Sequence, residues 1–374
     1  MKIRDFQLER YFAKYEFNTK YPLSPSDCET WSIEEILQLK GKEHGEKNFE
    51  RMKKLRLSYT ESRGNSGVLD ALEAVCGIGR PGLLVGCPEE LIFLFLNSFL
   101  EKKDRVVCIS PAYQALYELP CSIGCETVFW RLFPVNGRWS PDFDELESLL
   151  RTSTKLLIVN FPHNPTGYMP TREELGWIEE LTARRGVTVF SDEMYRGLEL
   201  SVPRLPTFSE FENAVTLGGL SKGPGLPGLR LGWLASPQHD LIEAALTMKD
   251  YTTICNSAPV EFLAEPALRG MEVLLERNRA ILSFNVEQAR MFFERHAELV
   301  EWIPPAAGPT AFPRLMKGDV GEMCSRAVEE KSLMILPDKV FDVKDNRFRV
   351  GMGRKNFPAA LEVFGEFLED WRRH

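Results

Sequence analysis

The sequence lacks any run of apolar residues long enough to cross a membrane. The longest such run, residues 91–96, has six residues, whereas a transmembrane helix needs about 20. The segment that follows Met1 also has no apolar stretch of the kind that a secretory signal carries. We therefore expect a cytoplasmic protein that has no membrane partner.

The sequence has no excess of positive charge and no metal-ligand pattern. Lys and Arg number 46 against 54 Asp and Glu, a net charge of −8. Because a nucleic-acid backbone is bound through a basic surface, we expect no nucleic-acid partner. Cys121 and Cys125 are the one close pair among eight cysteines, and no second pair or histidine cluster follows at the spacing of zinc ligands. We expect reduced thiols and no bound metal.

Short apolar runs alternate with helical patterns through the middle of the chain. A length of 374 residues suits two domains, or one large α/β domain with an appendage. The runs predict strands at 83–86, 106–109, 127–130, 156–160, 187–190, 214–217 and 229–234. Strands that are apolar on both faces and separated by helices indicate an α/β fold with a mostly parallel sheet between two layers of helices. Ligands bind such sheets at the carboxyl ends of the strands.

A glycine-rich turn at 217–233 holds Lys222, and Arg230 follows eight residues later. A lysine in a tight turn beside a fixed cation is suited to hold an aldehyde cofactor as a Schiff base and to anchor its phosphate. Three further segments follow strands: 160–167 with Asn164, 191–195 with Asp192 and Tyr195, and 110–113 with Tyr113. Taken singly, each is as well explained by a turn, a helix cap or a packed aromatic ring.

Together these motifs resemble the fold-type I pyridoxal phosphate (PLP) enzymes of the aminotransferase class I and II family. The resemblance rests on Asn-Pro-Thr-Gly at 164–167, Asp-Glu-x-Tyr at 192–195 and Ser-Lys-x-x-Gly-x-x-Gly-x-Arg-x-Gly-Trp at 221–233. It extends over nearly the whole chain. It implies a large PLP-binding domain at 46–265, a long interdomain helix at 266–298 and a small α+β domain at 299–374, which residues 1–45 join. Within the small domain we expect a strand at 347–351 and a closing helix at 358–373.

The resemblance implies a role for each motif residue. Lys222 would bind PLP covalently and then act as the general base and acid at the substrate. Asp192 would keep the pyridine nitrogen protonated, and Asn164 and Tyr195 would hydrogen-bond the phenolic oxygen. Tyr113 would stack on the ring, and Arg230 would pair with the phosphate.

Two more positions come from the resemblance alone. Arg349 matches the arginine that binds the substrate α-carboxylate, although Arg347 and Arg354 are close enough in sequence to be alternatives. Tyr59 matches a tyrosine that reaches the phosphate of the neighbouring subunit, which implies a homodimer with shared active sites.

The sequence departs from the family pattern where the phosphate should bind. Gly219 occupies a position that often carries a hydroxyl, and Cys87 and Pro88 replace residues that usually supply donors. Pro88 has no N–H, so Arg230, Ser221 and Tyr59 must contribute more to phosphate binding. The resemblance also places Cys87 among the cofactor-binding residues and Asn164 beside the substrate, and it makes Tyr195 a catalytic residue with Lys222 and Asp192. The segment 21–27 is also unusual and is similar to a branch that includes capreomycidine synthase-like proteins.

The resemblance implies an aminotransferase acting on an amino acid and a 2-oxo acid. The same residues also serve a PLP-dependent lyase, through C–S β-elimination or cyclisation, because they generate the carbanion without deciding its fate. A ligand-sensing module and a dinucleotide-binding protein are two alternatives. The acidic charge and the retained Lys222 and Asp192 disfavour the first, and the absence of Gly-x-Gly-x-x-Gly disfavours the second. Segment 249–254 offers no arginine, which argues against a substrate with a second carboxylate, although Lys249 in the same segment leaves the point open.

Overall fold

A computed structural model describes residues 2–151 and 153–372. Within these ranges the α-helices are α1 (Gln7–Tyr15), α2 (Ile33–Leu37), α3 (Lys42–Lys53), α4 (Ser66–Cys76), α5 (Pro88–Phe99), α6 (Ala115–Ile123), α7 (Phe143–Leu149), α8 (Arg172–Arg185), α9 (His239–Lys249), α10 (Ala258–Arg269), α11 (Met271–Arg295), α12 (Val320–Lys331) and α13 (Phe357–Trp371). The strands are β1 (Tyr21–Pro22), β2 (Leu83–Gly86), β3 (Arg105–Ser110), β4 (Glu126–Val135), β5 (Arg138–Pro141), β6 (Thr154–Asn160), β7 (Thr188–Asp192), β8 (Ala214–Gly219), β9 (Gly232–Ala235), β10 (Val300–Glu301), β11 (Thr310–Ala311), β12 (Arg314–Leu315), β13 (Leu333–Met334), β14 (Leu336–Pro337) and β15 (Phe348–Gly351).

Eight strands form the central sheet in the order β2-β9-β8-β7-β6-β3-β4-β5. The five strands from β8 to β4 run parallel to one another. β9 is antiparallel to both of its neighbours, and β5 returns antiparallel to β4. The predicted α/β class with a mostly parallel sheet is confirmed. The sheet order also brings the carboxyl ends of β6, β7 and β8 side by side.

Side chains of the inner strands alternate between two hydrophobic layers. Leu156 and Ile158 of β6 pack with apolar residues of α5, α6 and α9. Leu157 and Val159 point to the opposite face and pack with residues of α8. All four are fully buried, and burying a side chain of this size stabilises a fold by about 1.5–3 kcal/mol. This two-sided burial explains why the strands read as continuous apolar runs.

Local sequence signals start several of the flanking helices. Thr171 and Glu174 form a capping box at the start of α8, and Gly186 ends that helix in the left-handed conformation. Pro88 occupies the first turn of α5, where its missing N–H costs no helical hydrogen bond. The first turn of α5 has no side-chain cap. Because α5 follows directly on β2, this turn lies at the carboxyl end of that strand.

Several predicted elements have different bounds in the structure, and for two of them the backbone shows the reason. The strand expected at 229–234 begins only at Gly232, because Arg230 adopts the left-handed conformation with φ of 50° and cannot continue an extended chain. The single helix expected at 266–298 is instead the end of α10 followed by α11. Gly270 separates them, and a Cβ at that position would lie 2.9 Å from Leu39.

The two ends of the chain meet in a second, smaller unit. β1 pairs parallel with β13, and the hairpin-like β14 and β15 pair antiparallel. Leu23 joins the same hydrophobic cluster as Phe348 and Phe364. The strand expected at 347–351 is present as β15, and the helix expected at 358–373 is present as α13, whose predicted last residue, Arg373, lies outside the described residues. The domain boundaries at 45, 265 and 298 stay a prediction.

In the part of the chain that the structure describes, no helix is both long enough and apolar enough to cross a lipid bilayer.

Candidate active site

A cavity of about 530 Å³ opens at the carboxyl ends of β6, β7 and β8, and we call it the central cavity. Eight of the residues predicted from sequence line it: Tyr113, Asn164, Asp192, Tyr195, Ser221, Lys222, Arg230 and Arg349. They come from loops far apart in the chain and from both the sheet and the small unit. The structure therefore brings together the motif residues that the sequence separates by more than 230 positions.

Lys222 lies in the turn after β8 and is partly buried. Its Nζ donates a hydrogen bond to Ser26 Oγ at 3.1 Å. The turn is fixed through its backbone, because the carbonyl of Lys222 accepts hydrogen bonds from the N–H groups of Cys28 and Gly225. The amine therefore reaches the cavity from a fixed backbone position while its four-carbon side chain keeps freedom to move.

Asp192 ends β7 and is 6% exposed. Its Oδ1 accepts a hydrogen bond from the Met194 N–H at 3.1 Å, and no salt bridge reaches it within residues 2–151 and 153–372. Burial raises the pKa of Asp192 to about 7, with a further increase from the nearby charge of Glu89. A buried carboxylate of this kind is stabilised in its charged form by any cation that enters the cavity. Tyr195 is buried three residues later.

The turn after β6 is ordered by the side chain of Asn160. Asn160 Nδ2 donates to the carbonyl of Asp192 at 2.8 Å, and Asn160 Oδ1 accepts from the N–H of Asn164 at 2.8 Å. Both peptide bonds preceding Pro162 and Pro165 in this turn are cis. Asn160 therefore ties the position of Asn164 to the strand end that carries Asp192.

Arg349 lies on β15 and is 1% exposed. Its Nη1 donates to Asn164 Oδ1 at 3.1 Å, and its Nε donates to the carbonyl of Ser24 at 3.0 Å. Burial lowers the pKa of the guanidinium. Among the described residues no carboxylate forms a salt bridge with Arg349, although an unpaired buried charge is costly.

Unlike Arg349, the neighbouring Arg347 and Arg354 each form a salt bridge. Arg347 pairs with Glu301 at 3.3 Å, and Arg354 binds the carboxylate of Asp27 through two hydrogen bonds of 3.0 and 2.8 Å. Arg354 also lines the cavity, but its guanidinium is occupied. Arg349 is therefore the arginine of the three whose charge is free to meet an incoming anion.

Arg230 and the start of α5 form the other end of the cavity. Arg230 Nη2 donates to Glu89 Oε2 at 2.9 Å and lies 3.4 Å from Cys87 Sγ. Glu89 Oε1 accepts from the Tyr113 hydroxyl at 3.0 Å, as does a carboxylate oxygen of Glu9. The cation expected to bind phosphate thus has an acidic partner that an incoming anion must displace.

Ser221 and Gly219 explain how the turn departs from the family pattern. A Cβ on Gly219 would lie 2.7 Å from both the sulfur and the methyl carbon of Met194, so Met194 occupies the space that a larger side chain would need. Ser221 Oγ is buried and has no hydrogen-bond partner among the described residues. The turn therefore keeps one hydroxyl, at Ser221, that is free to bind a ligand.

Two predicted residues do not line the cavity. The side chain of Tyr59 is 87% exposed, on the surface of the single chain. Cys87 precedes α5 and contacts two residues that do line the cavity, Glu89 and Arg230. Tyr59 does not belong to the cavity of its own chain.

Sequence reasoning missed the contribution of the N-terminal segment. The cavity is lined by Glu9 and Phe12 of α1, by Glu16 directly after that helix, and by Ser26. Met194 was also missed, although its place inside Asp-Glu-x-Tyr was a usable signal. The N-terminal residues carried no motif, and long-range contacts bring them to the cavity, among them the pairing of β1 with β13 and the hydrogen bond from Arg349 to the Ser24 carbonyl.

The chain is similar to several known proteins in sequence and in fold. The model of the family described as aminotransferase class I and II matches residues 78–362. Capreomycidine synthase from Streptomyces vinaceus is 28% identical over 372 residues, which cover 98% of this chain and 93% of that protein. A solved PLP-dependent aminotransferase from Streptococcus suis 89-1591 has a TM-score of 0.92 and 28% identity over 99% of both chains. The solved PLP-dependent cyclase OrfR has a TM-score of 0.91 and 28% identity, covering 99% of this chain and 98% of that one.

Proposed function

The chain belongs to the aminotransferase class I and II family, whose cofactor is pyridoxal 5′-phosphate, and we propose that it exchanges an amino group between an amino acid and a 2-oxo acid. The observation that carries this proposal is the placement of the Lys222 amine and the buried Asp192 carboxylate in one cavity. These are the two groups that covalent PLP chemistry needs from a protein.

The unsatisfied groups of the central cavity fit the cofactor and a substrate amino acid. Within the described ranges the buried Asp192 carboxylate forms no salt bridge, and a protonated pyridine nitrogen would supply a partner for it. The Ser221 hydroxyl has no hydrogen-bond partner there either, and a phosphate oxygen would supply one. Arg349 forms no salt bridge with those residues, and a substrate α-carboxylate would match its planar guanidinium. Each of these groups therefore has a counterpart in the expected ligands.

We propose that residues lining the cavity bind PLP. Lys222 would bind its aldehyde carbon covalently, and Arg230 with Ser221 would bind its phosphate. Asn164 and Tyr195 would donate to its phenolic oxygen, leaving Asn164 Oδ1 on Arg349. When bound, the cofactor supplies an electron sink for the electron pair left at the substrate Cα.

The chain itself would supply orientation and proton transfer. Arg349 would fix the α-carboxylate, which aims the Cα–H bond towards the lysine. Lys222 Nζ, once released by the incoming substrate amine, would remove the Cα proton and later return a proton. Asp192 would remain ionised beside the cationic ring, where attraction between the charges offsets the cost of burying the carboxylate.

The walls of the cavity also bear on the substrate. Glu9 and Glu16 extend from the N-terminal segment into the cavity, and burial raises the pKa of Glu16. No residue of segment 249–254 lines it. Segment 249–254 therefore supplies no cation for a second carboxylate, and the N-terminal segment brings two carboxylates, Glu9 and Glu16, but one arginine, Arg10, to the cavity wall. We expect dicarboxylic amino acids to be poor donors.

Comparison with two similar proteins favours a second candidate function, a cyclisation or elimination that starts from the same carbanion. Capreomycidine synthase aligns with 98% of the chain, and the cyclase OrfR with 99%. Asp192, Lys222 and Arg349 would act identically up to loss of the Cα proton. The two functions differ only after the Cα proton is lost. In the first the amino group is passed to the 2-oxo acid, and in the second a leaving group departs or a ring closes.

A panel of amino donors, each with and without a 2-oxo acid acceptor, tests the proposal. Transamination predicts a new amino acid and a keto product only when the acceptor is present. Release of ammonia, or a cyclic product formed without an acceptor, would instead support the second candidate. Lys222→Ala, which lacks the amine, is the matched negative control.

A further inference from the structure

Ser26 is the side-chain partner of Lys222 among the described residues. The Lys222 Nζ lies 3.1 Å from Ser26 Oγ, and Ser26 is 8% exposed. No carboxylate forms a salt bridge with Lys222 within residues 2–151 and 153–372. The largely buried Ser26 hydroxyl is therefore the side-chain group of the described residues that bonds the Lys222 amine.

The segment that carries Ser26 is held on both sides. The Ser24 carbonyl accepts a hydrogen bond from Arg349 Nε at 3.0 Å, and the Asp27 carboxylate binds Arg354 through two hydrogen bonds. Ser26 lies between these two anchors. The same guanidinium that we assign to the substrate carboxylate thus also positions the segment that carries the hydroxyl.

Close backbone packing restricts the segment further. A Cβ on Gly351 would lie 1.7 Å from the Pro25 carbonyl oxygen, and one on Gly353 would lie 2.4 Å from that of Asp27. Only glycine permits this approach at either position. The backbone that carries Ser26 is therefore fixed against the small unit.

A hydroxyl suits a lysine that changes its protonation state. It accepts a hydrogen bond from an ammonium and donates one to the lone pair of a neutral amine. A carboxylate at this position would favour the ammonium, which is neither a base nor a nucleophile. Serine can therefore orient Nζ in both states without holding the proton on it.

We propose that Ser26 is a positioning residue that holds the Lys222 amine, whenever it is not bonded to the cofactor, in the orientation from which it attacks the cofactor aldehyde and removes the substrate Cα proton. This inference rests on the proposed role of Lys222. It applies equally to transamination and to cyclisation, because both begin with the same proton removal. It assigns a function to the unusual 21–27 segment, which carries Ser26.

The first test measures covalent capture of the cofactor and needs no turnover. PLP is added to apo-protein, and borohydride traps attached cofactor at successive times. We expect Ser26→Ala to reach the wild-type final content but about 10-fold more slowly, since both the hydrogen bond to the amine and the orientation that it fixes are lost. Ser26→Thr keeps the hydroxyl and should recover most of the rate.

The second test measures exchange of the substrate Cα deuterium with solvent by NMR. Ser26→Ala should lower the exchange rate about 10-fold and leave the KM of the donor unchanged, because the α-carboxylate site is intact. Thr19→Ala is the matched control. Its hydroxyl binds the Tyr15 carbonyl on the same N-terminal segment, outside the cavity.

The outcomes separate this inference from the proposed function. No trapped cofactor in the wild-type protein would overturn both. Wild-type capture and exchange rates in Ser26→Ala would overturn the role of Ser26 alone. So would a rate loss that Thr19→Ala shares or that Ser26→Thr fails to reverse, since either result points to general structural damage.

Discussion

Arg349 Nη1 donates a hydrogen bond to Asn164 Oδ1 at 3.1 Å, which links strand β15 of the small unit to the turn after β6 of the central sheet. Asn164 is therefore a shared neighbour of the expected cofactor oxygen and the expected substrate carboxylate. Binding of either ligand acts on the contact between the two units.

The first prediction concerns Arg349. Arg349→Lys keeps a positive charge but loses the planar pair of donors, so we expect kcat/KM for amino donors to fall about 10–100-fold, mainly through KM, as loss of a charge-assisted hydrogen bond of about 1.5–3 kcal/mol implies. Steady-state kinetics over a range of donor concentrations measures this change. Arg314→Lys, at an exposed position, is the control. An unchanged KM would show that another group binds the α-carboxylate.

The second prediction concerns the stability of the apo-protein. The pKa of Asp192 is raised from 3.8 to about 7 by burial, so the folded state binds more protons than the unfolded state between these values. The apo-protein is therefore destabilised by this group as pH rises through that window, with the full cost above pH 7.

Asp192→Asn should remove this cost and keep the acceptor for the Met194 N–H. We expect the free energy of unfolding of the apo-protein to rise by up to about 4 kcal/mol at pH 8, from a shift of roughly three pKa units, and by little near pH 4. The variant should nevertheless lose most activity. Denaturant titrations of apo-protein at the two pH values measure the gain, and an equal gain at both would contradict this origin.

The third prediction concerns the acidic partner of Arg230. Glu89 occupies Arg230 Nη2, so Glu89→Gln should free the guanidinium and lower the dissociation constant for PLP several-fold. Arg230→Gln should raise that constant about 10-fold or more. Equilibrium titration of apo-protein with PLP measures both. Glu90→Gln changes the next residue of α5, which bonds Thr252 and Thr253 instead, and should leave the constant unchanged. Weaker binding in Glu89→Gln would mean that Glu89 supports the site.

The fourth prediction concerns Tyr59 and the proposed homodimer. Tyr59 is exposed in the single chain, as expected of a residue that reaches a neighbouring cavity. If sites are shared in a two-fold symmetric dimer, a mixed dimer of Tyr59→Ala and Lys222→Ala chains contains one intact site and should show about half of wild-type activity. Differently tagged chains allow its purification. Activity no higher than the average of the two mutant homodimers would contradict shared sites.

The residues of the central cavity that belong to local sequence motifs could be predicted from the sequence. Lys222, Asp192 and Asn164 each follow a strand, and parallel strands bring their carboxyl ends to one edge of the sheet. Thr171, through a capping box, and Pro88, as a first-turn proline, likewise indicated where α8 and α5 begin. These residues could be placed without knowing any distant contact.

What the sequence did not predict depends on contacts between distant segments. Ser26 reaches Lys222 through long-range contacts of its segment, which include the pairing of β1 with β13 and the close approach that Gly351 permits. The strand at 229–234 was predicted too early because apolar residues there suggested an extended chain, whereas Arg230 turns into the left-handed conformation to face Glu89. No local pattern encodes either relationship.

Covalent attachment of PLP to Lys222 is the measurement on which the account depends most directly. PLP is added to the protein, reduced with borohydride, and the modified peptide is identified by mass spectrometry. We predict a single phosphopyridoxyl group on Lys222 and none in Lys222→Ala. The buried Lys249, whose Nζ is bonded to the carbonyls of Ser62 and Val85, should stay unmodified. Modification of Lys249 or of no lysine at all would contradict the account.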